Sequence, residues 1–157
     1  MKFSLSAESL KRIDELVGRY PKKEAALLPL LHIVQREKGF ISPEAERWVA
    51  EALGLPRLRV SEVLSFYTLL RREPAGKHII RVCRNISCFL AGGEEILGAL
   101  EAGLGIKAGE TTADGRFTLV AVECLGNCDH APCLMVDDDD YGPVSRDAID
   151  GILKRLA

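Results

Sequence analysis

Apolar residues up to about position 70 recur at steps of three and four, the spacing that places one stripe along a helix. Leu10, Ile13, Leu16 and Val17 form the first stripe behind Ser6, a residue suited to capping, with Lys11, Arg12 and Glu15 on the opposite face and an end near Tyr20-Pro21. A second run, from about Lys22 to Lys38, carries Leu27, Leu30, Leu31 and Val34 and stops at Gly39. Pro29 inside it is expected to remove a hydrogen bond and bend the helix. Ser42-Pro43-Glu44 opens a third helix that ends at Gly54. The fourth begins near Pro56 and presents Val60, Val63, Leu64 and Tyr67, with Phe66 and Leu70 widening its apolar face. Short helices joined by short links predict a compact antiparallel bundle.

The periodicity changes after the polar stretch Arg71-Arg72-Glu73-Pro74-Ala75-Gly76-Lys77, which sets the expected boundary between residues 1–74 and 75–157. His78 to Cys83 reads as a β-strand, and Cys88 to about Gly103 as one helix with Leu90, Ile96, Leu97 and Leu100 turned inward. Ala113-Asp114-Gly115 is a turn signal ahead of the strand Phe117 to Val122. Cys133 to Val136 is a further short strand, Asp137 to Gly142 a turn, and Ser145 to Leu156 a terminal helix. The fold class is therefore α+β: an N-terminal helical bundle followed by a small open sheet flanked by helices, of thioredoxin-like type.

Composition excludes several classes. With 47% apolar and 28% charged residues the chain is neither disordered nor fibrous, and a net charge of −2 gives no long-range attraction to nucleic acid or to an anionic membrane. The longest nearly apolar run, Ala25 to Val34, is far short of the ~20 residues that span a bilayer, and the N-terminus lacks the apolar core of a secretory signal. The five cysteines are an odd number and all lie in the second half, which favours ligand thiolates in a reducing cytosol over a disulfide framework.

Four of these cysteines fall into two pairs. Cys83 and Cys88 form C-x4-C, Cys124 and Cys128 form C-x3-C, and residues 89 to 123 lie between the pairs. If the strands ending at Cys83 and near Cys124 share a sheet, the following loops emerge at one edge and the four sulfurs converge. Soft thiolate donors restrict the guest mainly to zinc or an iron-sulfur cluster. Spacings this wide leave both open.

Val82-Cys83-Arg84-Asn85-Ile86-Ser87-Cys88, together with Val122-Glu123-Cys124-Leu125-Gly126-Asn127-Cys128-Asp129-His130-Ala131-Pro132, closely resembles the thioredoxin-like 2Fe-2S subunit of the NADH dehydrogenase module of respiratory complex I. Related subunits occur in NAD-linked hydrogenases and formate dehydrogenases. The resemblance extends over nearly the whole chain, including Ser65-Phe66-Tyr67, the stretch from Leu104 to Gly115, and Met135-Val136-Asp137-Asp138. It implies that Cys83, Cys88, Cys124 and Cys128 bind one 2Fe-2S cluster. It also implies a partner flavoprotein that holds FMN, NADH and a cluster of its own, so that this chain passes single electrons without turning over NADH itself. The implied location is cytoplasmic, reaching the membrane face only through a larger complex.

Departures are few: Asn127 stands where small residues are frequent in the family, and Cys133 where an apolar residue is usual. Cys133 is read as a buried strand residue acting as a small hydrophobe, with alternative ligation as the sharper reading. His130 is expected in solvent, with tuning of the centre as its sharper role. His32 reads as a core or boundary side chain, His78 carries no signal, and Asp137 to Asp140 reads as a solvated acidic turn without the pattern of a calcium loop. Phe66 and Tyr67 are expected in the core or at a domain interface. Two rivals remain: a structural zinc-binding interaction module, and a thiol-disulfide enzyme, against which the absence of Cys-x-x-Cys weighs.

Overall fold

The computed structural model describes residues 3–156 and divides into two compact units, residues 1–74 and 75–157. The first is helical. Helix α1 (Ala7–Val17) begins where the Ser6 side chain accepts a hydrogen bond from the Ser9 N–H, and α3 (Pro43–Leu53) where Ser42 does the same for Ala45. Gly54 closes α3 in the left-handed conformation. Between them, α2 (Leu27–Lys38) buries Leu27, Leu30, Leu31 and Val34, and α4 (Arg57–Phe66) adds Val60 and Leu64 to the same core. Each fully buried side chain of this kind stabilises the unit by roughly 1.5–3 kcal/mol.

One expectation for this unit is corrected and another narrowed. The segment before Leu27 is a 3-10 turn, Lys23–Ala26, so Pro29 sits in the first turn of α2, where its N–H would have had no helical partner. The expected bend and lost hydrogen bond therefore do not arise. Phe66 and Tyr67 are not core residues: α4 ends at Phe66, which is 76% exposed, and the two rings pack on each other edge to face at 5.1 Å.

The second unit is a four-stranded sheet in the order β2-β1-β3-β4. Strand β1 (His78–Cys83) pairs in parallel with β2 (Phe117–Val122), and antiparallel with β3 (Leu134–Val136), which pairs with β4 (Asp139–Tyr141). Ile80, Val82, Leu119, Leu134 and Val136 meet Ile96 and Leu100 from α6 (Gly93–Leu104) and Ile149 and Ile152 from α7 (Ala148–Arg155) in one core. No helix among the described residues is long and apolar enough to cross a membrane.

The single helix expected from Cys88 to Gly103 is two. Helix α5 (Ile86–Leu90) ends at Ala91, and Gly92 takes φ +92° before α6 begins, a conformation open to glycine but costly for a side chain. The break turns Leu90 outward to 78% exposure instead of into the core. The acidic stretch is also more structured than a solvated turn. Asp137, at φ 54°, reverses the chain and accepts hydrogen bonds from the Ile79 N–H (2.8 Å) and the His78 ring (Nδ1 to Oδ2, 2.7 Å), while Asp139 and Asp140 belong to edge strand β4.

Candidate metal centre

The β1–β2 ladder decides where the cysteines meet. Its register pairs Cys83 with Val122, so two strands far apart in sequence end side by side and point the same way. The loop after β1 carries Cys88 and the loop after β2 carries Cys124 and Cys128. Both leave from one edge of the sheet, as expected if the two strands share it.

Asn85 caps α5, its Oδ1 accepting from the Ile86 N–H at 2.8 Å, and this one-turn helix buries Cys88 at 1% exposure. The turn at Gly92-Gly93 lies directly beneath. A methyl group at Gly93 would stand 2.8 Å from the Cys88 carbonyl oxygen and 3.2 Å from that of Cys83, so only glycine admits this approach. Cys133 enters from the other side, continuing the β1–β3 ladder, where the Cys83 N–H donates to its carbonyl at 3.2 Å.

The structure brings together Cys83, Cys88 and Cys133, whose sulfurs all lie within 4.8 Å of one another, with the Cys88 and Cys133 sulfurs 3.5 Å apart. Cys124 and Cys128 are exposed and stand outside this group. The loop that carries them nonetheless reaches it: the Leu125 N–H and the Asn85 N–H both donate to the Cys83 sulfur, and the Gly126 N–H donates to the Cys124 sulfur at 3.3 Å. Leu125 and Ala131 pack against the buried three.

The electrostatics separate the buried thiols. Burial pushes Cys83 up, but the hydrogen bonds from Asn85 and Leu125, joined by those from Cys88 and Cys133, outweigh it and hold Cys83 below an ordinary thiol. Burial raises Cys88, and its contact with Cys83 adds to the rise. Burial and the neighbouring Cys88 and Cys83 push Cys133 up to about 12. A negative charge on any one of the three sulfurs opposes ionisation of the others.

His130 is half-exposed, within 3.1 Å of Asn127 Oδ1 and 3.2 Å of Asp129 Oδ2, in agreement with the solvent expectation. His32 is half-buried on α2. Cys133 is buried, as its strand position leads one to expect, and it also stands beside the sulfurs of Cys83 and Cys88. The signal was its place immediately before a strand that pairs with β1, which sets it opposite Cys83.

A donor set of thiols, with main-chain N–H groups aimed at sulfur to offset negative charge, fits a thiolate-bound iron-sulfur cluster and suits hard cations poorly. With the parallel and antiparallel neighbours of β1 it fits the class that the resemblance implies: an iron-sulfur electron carrier built on a thioredoxin-like sheet. A family model described as thioredoxin-like [2Fe-2S] ferredoxin matches residues 13–157. The chain belongs to this family and carries one 2Fe-2S cluster. Among curated proteins it is 42% identical over 153 residues to an NADH-quinone oxidoreductase subunit from Pseudomonas aeruginosa, covering 98% of this chain and 92% of that one. The like-named protein from Escherichia coli is 40% identical over 153 residues, with the same coverage. In fold, the chain is similar to part of an NAD+-reducing [NiFe]-hydrogenase in the air-oxidised state, with a TM-score of 0.73 at 23% identity over 83% of this chain and 22% of that chain.

Proposed function

We propose that this chain is the electron-transfer subunit of an NADH-quinone oxidoreductase, with Cys83, Cys88, Cys124 and Cys128 as the cluster's ligands and the FMN of an NAD(P)H-oxidising partner subunit as its electron source. The relatives of matching length bear that enzyme's name, which supports the parent complex. The ligand set is supported by one observation above others: the in-register parallel pairing that ends two cysteine loops at a common edge. When bound, a 2Fe-2S cluster supplies one-electron chemistry, matched to a flavin that receives two electrons from NADH and releases them singly.

The chain's own residues shape the site around that chemistry. Cys83 and Cys88 form its buried wall, which excludes water. Cys124 and Cys128, on an exposed loop, form the side open to a partner. The N–H groups of Asn85 and Leu125 stabilise negative charge on Cys83, and Gly126 does so for Cys124. Its place is the cytoplasmic side, held there by the complex.

A second reading is favoured by the 4.8 Å group: Cys133 replaces one of the outer pair as a ligand. Anaerobic purification, iron and acid-labile sulfide analysis, and electron paramagnetic resonance before and after dithionite test both. Two irons and two sulfides per chain, retained by Cys133→Ser and lost by Cys124→Ser, support the first reading. Loss by Cys133→Ser, with the cluster retained by either Cys124→Ser or Cys128→Ser, supports the second, and zinc without sulfide removes both.

A further inference from the structure

Cys133 has no part in the proposed ligand set, yet it completes a second donor arrangement. Cys83, Cys88 and Cys133 are each 3% exposed or less, and their sulfurs lie within 4.8 Å of one another. No imidazole or carboxylate among the described residues joins them. A cation held in the plane of three sulfurs at about 2.3 Å sets those sulfurs about 4 Å apart, which this pocket permits. Zinc prefers four ligands in a tetrahedron, and calcium or magnesium require oxygen. A soft monovalent cation satisfied by three thiolates is the guest that matches both the number and the chemistry of the donors.

We propose that, in the chain before cluster insertion, Cys83, Cys88 and Cys133 form a trigonal three-thiolate site for copper(I). Binding exchanges three S–H bonds for three Cu–S bonds and releases three protons to the buffer. No electron is transferred, so the copper enters and remains as copper(I). The resulting negative charge is met by the N–H groups of Asn85 and Leu125 at Cys83 and of Cys133 at Cys88. Because Cys83 and Cys88 also belong to the proposed cluster set, copper and cluster exclude each other. That exclusion rests on the functional reading above, whereas the copper site itself does not.

The test uses the full-length chain, made cluster-free by chelation, reduced, and titrated anaerobically with copper(I) against bicinchoninate. One copper per chain is expected, with three sulfurs counted by X-ray absorption. Cys133→Ser should weaken binding by at least about 100-fold, since loss of an outer-shell partner alone costs 10–100-fold, while the double variant Cys124→Ser/Cys128→Ser should stay within about threefold of the parent. Unchanged binding by Cys133→Ser, loss in the double variant, or two sulfurs at the copper of the parent chain would overturn the site. The sulfur count needs no variant, so misfolding of Cys133→Ser does not shield the proposal. Copper-loaded parent chain should then refuse iron and sulfide, and Cys133→Ser should accept them at the same copper concentration. Acceptance by the copper-loaded parent overturns the exclusion. A copper-free parent that takes up neither iron nor sulfide overturns the cluster reading and leaves the copper result standing.

Discussion

Replacing Gly93 by alanine probes how closely α6 is set against the Cys83 to Cys88 loop. The added methyl would lie 2.8 Å from the Cys88 carbonyl oxygen, 3.1 Å from its carbon and 3.2 Å from the Cys83 carbonyl oxygen. All three are main-chain atoms, so no rotamer change relieves the contact. Favourable separations are about 3.5–4.0 Å, and the loop must therefore retreat by roughly half an ångström or more. Overpacking of this kind costs about 1–3 kcal/mol, and alanine's better helix propensity offsets at most about 1 kcal/mol. The net loss, up to about 3 kcal/mol, corresponds to a fall in Tm of about 2–4 °C for each kcal/mol in a chain of this length. Gly98, on the same helix, is the matched control: it is exposed, with nothing within 4 Å of an added methyl, so Gly98→Ala should gain about 0.5–1 kcal/mol. Anaerobic thermal melts with iron and sulfide assays should show Gly93→Ala melting lower and holding less iron, and Gly98→Ala melting higher with full occupancy. Equal melting of the two variants, both with full iron, would refute the close-approach argument.

Glu46 on α3 is a nearly buried carboxylate met by the Ser61 hydroxyl, by Arg57 at 3.2 Å and by Arg72 at 3.7 Å. Burial alone would raise its pKa, but these hydrogen bonds and charges hold it below the usual carboxylate value. Its stabilising contribution is therefore complete above the unfolded value of about 4.3 and disappears as pH falls through the lower folded value. Glu46→Gln should cost about 1–3 kcal/mol at pH 7 and flatten this part of the acid dependence, as read from urea midpoints across pH 3 to 7. Asp137→Ala leaves the Ile79 N–H without its acceptor and puts alanine at φ 54°, a loss of about 1–3 kcal/mol by denaturant titration; Asp137→Asn, which tolerates that backbone, should lose less. In the cluster-free chain, brief iodoacetamide treatment should label Cys124 and Cys128 before Cys83, Cys88 and Cys133, and equal labelling by peptide mass spectrometry would contradict the buried group.

What could be read from the chain alone follows from how local each signal is. Ser6, Ser42 and Gly54 act on the next turn of backbone, so those helix ends were legible. The effect of Pro29 is not legible locally because it depends on where the helix begins, and a 3-10 turn sets that start at Leu27. Gly92-Gly93 inside an apolar pattern was read as continuous helix because alternative backbone angles leave no mark on periodicity. Asp139 to Tyr141 was read as turn because its strand character comes from pairing with β3 and its polar residues face outward on an edge. At the site, the common exit of two loops follows from strand order, but the sulfurs that meet are those of Cys83, Cys88 and Cys133, with Cys124 and Cys128 outside the group. The burial of Cys133 was legible too; its place opposite Cys83 was not, since that depends on the cross-strand register that extends the β1–β3 ladder.

The parallel pairing of β1 with β2 also sets an order of events. Its partners, from His78 with Phe117 to Cys83 with Val122, are brought together only after the intervening helices have been crossed over. Such non-local pairing forms late, because loop closure must precede its reward. On the proposed ligand set, a chain caught before that moment presents one cysteine pair and then another, each alone and too few to hold a cluster. Cluster uptake thus reports that the sheet is complete, and an immature chain stays colourless until its tertiary structure is in place.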